Sequence, residues 1–224
     1  LESFACELSQ RFGVEVMFRV CDPTEPLQLS GVLYEVEQCD YQIELLVNDA
    51  GADCAVSFLE QDWQRERKLL ELNVFALSRL CHALGNAMAR RGGGQILNVA
   101  SLAAFQPGPW LSSYYASKAF VLHFSEALGE ELRGLGVQVA ALCPGPVRTP
   151  FWRNARLDMR PLKNSPWLMN AEQLALLALQ GLDRGQTVIV PGWRNRLLAI
   201  AAQLAPRTLA RRLAARLNRR LLPH

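Results

Sequence analysis

The chain has 224 residues, 50% of them hydrophobic and 20% charged, with 15 Gly and 12 Pro, which suits one large α/β domain and excludes a disordered, collagenous or low-complexity chain. The formal net charge of +3 is unevenly spread: residues 184–224 hold nine Arg and no acid, so the body before them is acidic and offers no general basic face to nucleic acid. No apolar run approaches the roughly 20 residues that a membrane-spanning helix needs. Six Cys, at positions 6, 21, 39, 54, 81 and 143, stand singly, without a CxxC pair or a His at ligand spacing. They read as reduced, mostly buried thiols of a cytoplasmic protein; neither a zinc site, nor another metal, nor a disulfide framework is expected.

In chain order, Leu1, Phe4, Ala5 and Leu8 already sit at helical spacing, so the text opens inside a helix that Gly13 closes, and a preceding segment is expected. Val14 to Cys21 is β-branched and apolar, which predicts a strand; a helix follows over about 25–38. Ile43 to Val47 is short, continuously apolar and bounded by Asn48-Asp49-Ala50-Gly51, the pattern of a strand buried on both faces. A long helix is predicted from Asp62 to Arg91, ended by Gly92-Gly93-Gly94. Then come a strand (Gln95 to Ala100), a helix (Ser112 to Gly134), a buried strand (Val137 to Cys143), a Pro-rich irregular stretch (144–170), a helix (171–182) and a strand (187–190). Repeated β-α-β units imply a doubly wound parallel sheet with helices on both faces, in one domain. In such a sheet ligands bind beyond the carboxyl ends of the strands. The turns at Asp22, at Asn48 to Gly51, at Ser101 and at Pro144 to Thr149 therefore belong to one edge.

The helix after Ser101 reads Ser113-Tyr114-Tyr115-Ala116-Ser117-Lys118. Tyr114 and Lys118 are four apart and share a helix face. A free phenol titrates near 10, too high for acid/base work at neutral pH, and a neighbouring ammonium favours the phenolate. Such a Tyr can exchange a proton with a carbonyl or carbinol oxygen that the Ser101 hydroxyl holds. With four Tyr in the chain, a Y-x-x-x-K pair arises by chance in roughly one chain in twenty, so the pair gains weight only from its company.

That company resembles the short-chain dehydrogenase/reductase family over residues 1 to about 192. Asn48-Asp49-Ala50-Gly51 resembles its N-N-A-G turn, and Asn73 in Leu72-Asn73-Val74 resembles its helix Asn. Ile96 to Ser101 resembles the strand that ends in its catalytic Ser, thirteen residues before Tyr114. Pro144-Gly145-Pro146-Val147-Arg148-Thr149 resembles its P-G-x-V-x-T segment. The resemblance implies a Rossmann-like fold and an NAD(P)(H)-dependent oxidoreductase that moves hydride between the nicotinamide and a carbonyl or alcohol carbon, with NADP placed ahead of NAD. Tyr114 would be the acid/base, Lys118 would bind the nicotinamide ribose and lower the Tyr114 pKa, Ser101 would orient the substrate oxygen, and Asn73 would hold a relay water. Asp22, Asn48, Ala50, Gly51, Pro144, Gly145, Val147 and Thr149, with Tyr114 and Lys118, would line the cofactor. The family also implies a homo-oligomer paired through the helices at 62–91 and 112–134.

Two departures stand out. Asp49 replaces the second Asn of the turn, and the family's opening T-G-x-x-x-G-x-G segment has no counterpart here, so the first β-α-β unit is expected to be missing from this text. The contrasting reading is a non-catalytic binding or scaffold protein that lacks its dinucleotide turn. Phe151, Trp152, Trp167, Leu168 and Met169 in the lid, with Trp110, offer apolar surface and point to a bulky apolar substrate. Residues 193–224 form an extension beyond the 1–192 domain, two helices broken at Pro206. Its second helix sets Leu209, Leu213, Leu217 and Leu221 opposite Arg211, Arg212, Arg216, Arg219 and Arg220, the pattern either of a helix docked on the body or on a partner subunit with a solvated Arg face or of peripheral contact with an anionic membrane.

Overall fold

Ile96 to Val99 and Val137 to Leu142 are short, mostly apolar stretches, and they pair in parallel as the middle of the sheet. The computed structural model describes residues 1–224 apart from 40, 53–56, 150, 152–156, 159, 161–164, 166 and 223–224. Cys54 and Trp152 lie outside the described residues. Contacts divide the chain into two compact units, Leu1–Tyr41 and Gln42–His224.

The first unit holds α1 (Glu2–Phe12), closed by Gly13 in the left-handed region, and α2 (Pro26–Gln38), whose opening proline pre-sets the first turn. Between them residues 14–22 form no strand, against expectation. A strand exists only where a neighbour completes its ladder, and no described residue does so here. Val14, Met17, Phe18 and Val20 remain exposed, and the loop is tied by an Arg19–Glu35 ion pair and by the Tyr41 hydroxyl donating to Glu15 at 2.6 Å.

Among its described residues the second unit holds a four-stranded parallel sheet in the order β1 (Leu45–Asn48), β2 (Gly94–Val99), β3 (Val137–Leu142), β4 (Val188–Ile189). The register sets Asn48 beside Asn98 and Val99 beside Leu142, so the strands end at one edge. Between β1 and β2 runs one long helical rod: α3 (Trp63–Leu70), a π-helical turn (Glu71–Ala76) and α4 (Leu77–Arg91). The Asp62 side chain caps its start and Gly92, in the left-handed region, its end. The further α-helices among the described residues are α5 (Ser112–Arg133), α6 (Ala171–Asp183), α7 (Trp193–Leu204) and α8 (Arg207–Arg219).

Alternation along the strands sorts the core into two layers. Ile96, Val139 and Ala141 pack with Leu77, Cys81 and Met88 of α4 and Val121 and Leu122 of α5. On the opposite face Leu97, Ala140 and Leu142 pack with Ala178 and Leu182 of α6. The sheet is thus covered on both faces by helices, as the pattern predicts. One strand departs: β1 is an edge strand and its Val47 is exposed, so it is not buried on both faces. Of the described thiols only Cys81 and Cys143 are buried, whereas Cys6 is exposed, which corrects the expectation of mostly buried cysteines.

Candidate active site

Three chain segments meet where the rod turns from α to π geometry. A π-turn adds a residue to the helical circuit and pushes a side chain out of line. Here it carries Asn73, which is buried and used at both ends. Its Oδ1 accepts from the Ala52 N–H at 2.9 Å, and its Nδ2 donates to the Ala52 carbonyl at 3.0 Å and to the Ser117 hydroxyl at 3.0 Å. Ser117 donates in turn to the Tyr114 carbonyl at 2.8 Å. One side-chain amide therefore locks the turn after β1 onto the first two turns of α5.

Lys118, also buried, donates from Nζ to the Val99 carbonyl at the end of β2 (2.7 Å) and lies 5.9 Å from the centre of the Tyr114 ring. Gly51 closes the group: a Cβ added there would stand 3.4 Å from Lys118 Nζ and 3.5 Å from Asn73 Oδ1. Ser101 follows β2, accepts from the Ala103 N–H at 3.1 Å, and caps a short 3-10 turn over Leu102–Phe105. The turn is tied to the next strand end by the Leu102 N–H donating to the Pro144 carbonyl.

The other anticipated positions do not all join this group. Val147 forms a parallel bridge with Met169, with Arg148 N–H donating to the Met169 carbonyl and Met169 N–H to the Pro146 carbonyl, so the Pro144–Thr149 segment is stitched to the far end of the lid. Gly145 lies under the buried Asn195 side chain, 2.8 Å from where a Cβ would stand, and any larger residue would collide. Ala50 and Thr149 are exposed on this edge. Asn48 turns its amide inward, donating to Asn98 Oδ1 (2.8 Å) and Cys81 Sγ (3.3 Å), while Asn98 donates to Ser125 Oγ (2.9 Å). This buried network fixes the ends of β1 and β2 against α4 and α5. Asp22 belongs to the first unit, where its carboxylate accepts from the N–H and hydroxyl of Thr24.

An apolar wall flanks Tyr114. Its ring packs at 6.1 Å from both Tyr115 and Phe151, beside Leu111, Leu157, Leu221 and Leu222. The last two come from the end of the extension, held by Asn218: it accepts from the Tyr115 hydroxyl (3.0 Å) and donates to the Pro109 carbonyl (2.9 Å). Next to it Trp110 sits at φ 74°, a left-handed conformation that strains a bulky residue, with the Arg219 guanidinium 5.0 Å above its ring. A groove of about 700 Å³ on the other face of α5, lined by Tyr115, Ala119, His123, Ala202 and Arg207, includes none of Ser101, Tyr114 or Lys118.

Sequence reasoning missed Ser117, Asn98, Ser125 and Asn218. Asn98 was the visible signal among them: an amide inside a strand read as buried must find a partner.

A parallel sheet flanked by helices on both faces, with Asn73 and Lys118 at its carboxyl edge, is a Rossmann-type arrangement, and the comparisons agree on the fold. The family description "short chain dehydrogenase" matches residues 1–160. The chain belongs to the short-chain dehydrogenase/reductase family. It is similar to a short-chain dehydrogenase from Sphingobium yanoikuyae in complex with NADPH (33% identity, TM-score 0.80, covering 91% of this chain and 79% of that one). A bulky-bulky ketone specific alcohol dehydrogenase from Comamonas testosteroni is 30% identical, with TM-score 0.75 over 90% of this chain and 77% of that one. The 2-dehydro-3-deoxy-D-gluconate 5-dehydrogenase of Bacillus subtilis is 38% identical over 120 residues, 52% of this chain and 46% of that protein. Across the first curated relatives the matched part spans from 24% to 67% of their own length.

Proposed function

We propose that this chain carries the nicotinamide and substrate end of an NAD(P)(H)-dependent oxidoreductase acting on a carbonyl/alcohol pair. The carrying observation is the convergence of Tyr114, Lys118, Asn73 and Gly51 at the ends of β1 and β2. The residues present fit the ribose–nicotinamide half of the cofactor. Gly51 keeps bulk away from the Lys118 ammonium, and a Lys, a Tyr and backbone turns are the donor set that a ribose diol needs. Lys118 would hold that ribose, Val147 and Thr149 would contact the carboxamide and phosphates, and Asp22 would sit by the adenine ring. When bound, the nicotinamide supplies or receives the hydride.

The protein's own part is the proton. In the reducing direction Tyr114 gives its hydroxyl proton to the substrate oxygen as the carbonyl carbon gains hydride, and the Lys118 ammonium favours the phenolate left behind. Ser101 donates to the same oxygen and steadies its developing charge. Asn73, already bonded to the Ala52 backbone, fixes the Tyr114 turn of α5 through Ser117. NADP is placed ahead of NAD, in keeping with the NADPH complex of the Sphingobium relative.

A bulky apolar ketone or secondary alcohol is the proposed substrate class. Phe151, Leu157, Leu221 and Leu222 around Tyr114 support it, and so does the ketone preference named for the Comamonas relative. We assign residues 1–192 to the Rossmann-like domain and 193–224 to an extension that walls the site, and we place self-association on α3–α4 and α5, where Phe75 and Phe120, the latter stacked on the half-buried Phe124, reach the surface. The test is Tyr114→Phe: turnover of an apolar ketone with NADPH should fall about 10²–10⁴-fold while NADPH binding, read by calorimetry, is unchanged. Full turnover by the variant would refute the acid/base role.

A further inference from the structure

The extension carries its apolar residues on the wrong side for a helix pair that only has to dock. In α7 the buried positions are Asn195 and Ala199, and the opposite stripe, Trp193, Leu197, Ile200 and Leu204, is 53–80% exposed. In α8 the buried positions are Ala210, Ala214 and Asn218, while Leu209, Leu213 and Leu217 are 47–57% exposed. Small residues and one Asn therefore face the body; of the Leu stripe of the last helix only Leu221 packs there, and seven large apolar side chains of the two helices are 47–80% exposed. An amphipathic helix normally buries the large residues and presents the polar ones.

Charge selects the occupant. Arg194 and Arg196 flank the stripe of α7, and Arg212, Arg216 and Arg220 border that of α8, all exposed. The segment 184–224 has no acid at all, so a second copy of the same face would bring arginine against arginine. A surface that is apolar within and anionic at its rim complements both features at once, which is the make-up of an anionic lipid leaflet. No described helix is long and apolar enough to cross a membrane, so the pair would lie in the plane of the interface. We infer that α7 and α8 form a lipid-seating face that holds the protein on anionic membrane through Trp193, Leu197, Ile200, Leu204, Leu209, Leu213 and Leu217, with the flanking Arg at headgroup level.

Co-sedimentation of the full chain with vesicles tests this without any assay of turnover, so its outcome is independent of the redox reading. Vesicles of equal phosphatidylglycerol and phosphatidylcholine should bind at least about tenfold more tightly than phosphatidylcholine alone, and binding should weaken in high salt. Leu197→Ser with Leu213→Ser should abolish binding, and Arg212→Gln with Arg216→Gln should remove the lipid preference. Both variants should retain the wild-type near-ultraviolet circular dichroism, since the replaced side chains are exposed. Equal sedimentation with both vesicle types, or binding that survives the Leu variant, would overturn the proposal. So would a Leu variant that changes only the mass measured by light scattering, which would give the face to a second copy.

Discussion

At the scale of single residues, one side-chain amide carries a disproportionate share of the site. Asn73 satisfies both backbone groups of Ala52 and the Ser117 hydroxyl from a buried position. Asn73→Ala would leave the Ala52 N–H and carbonyl without their partner and free the turn that contains Gly51. Each buried polar group left unpaired costs about 1–3 kcal/mol, so urea unfolding should report a loss of roughly 2–4 kcal/mol together with a fall in kcat. A loss of activity with unchanged stability would instead confine Asn73 to a relay role. Tyr114, Lys118, Ser101 and Asn73 were legible in the sequence because each sits in a short motif at fixed spacing. Asn218 was not, because its partners, Tyr115 and Pro109, lie 103 and 109 residues away and only the tertiary fold brings them together.

At the scale of elements, the boundaries were the most readable part of the chain. Asp62 and Asn170 cap their helices through side-chain acceptors, and Gly13 and Gly92 end theirs in the left-handed region, each a local choice made by residue type. The misreadings share one cause, namely dependence on a neighbour. Residues 14–21 have strand composition but no described ladder partner, and β1 has buried-strand composition but an edge position. The side of α8 that touches the body, Ala210, Ala214 and Asn218, was likewise not legible, since a wheel of Leu and Arg hides the small-residue face. Asn218→Ala tests what that contact does. Losing its bonds to Tyr115 and Pro109 should loosen Leu221 and Leu222 beside Tyr114, raising KM for a bulky apolar ketone several-fold while kcat for a small ketone changes little. An equal effect on both substrates would show that the extension does not wall the pocket.

At the scale of the whole molecule, the two buried thiols couple the core to pH. Burial pushes Cys143 up to about 12 and Cys81 up to about 11 from an ordinary 9.0, the latter against opposing hydrogen bonds from Asn98 and Asn48. The folded state therefore keeps these protons after the unfolded chain has released them. Their stabilisation is complete below pH 9 and is lost as pH rises toward 11 and 12, on the order of a few kcal/mol in all. Thermal midpoints should hold between pH 7 and 9 and fall steeply above that. At pH 8 a thiol reagent should modify the exposed Cys6 readily and leave Cys81 and Cys143 unmodified until the chain unfolds. Rapid labelling of Cys81 in the folded protein would contradict the burial on which this rests.

The π-turn at Glu71–Ala76 has one more consequence. A plain α-helix would let α3 and α4 keep their packing with one residue fewer, so the extra residue serves neither flank. It lengthens the path of the chain just where Asn73 has to reach Ala52, and the reach of that amide is thereby stored in the number of residues along the rod rather than in their kinds. A survey of substitutions, however complete, keeps that number constant and would see only the chemistry of the amide. The spacing that delivers it answers to insertion and deletion alone.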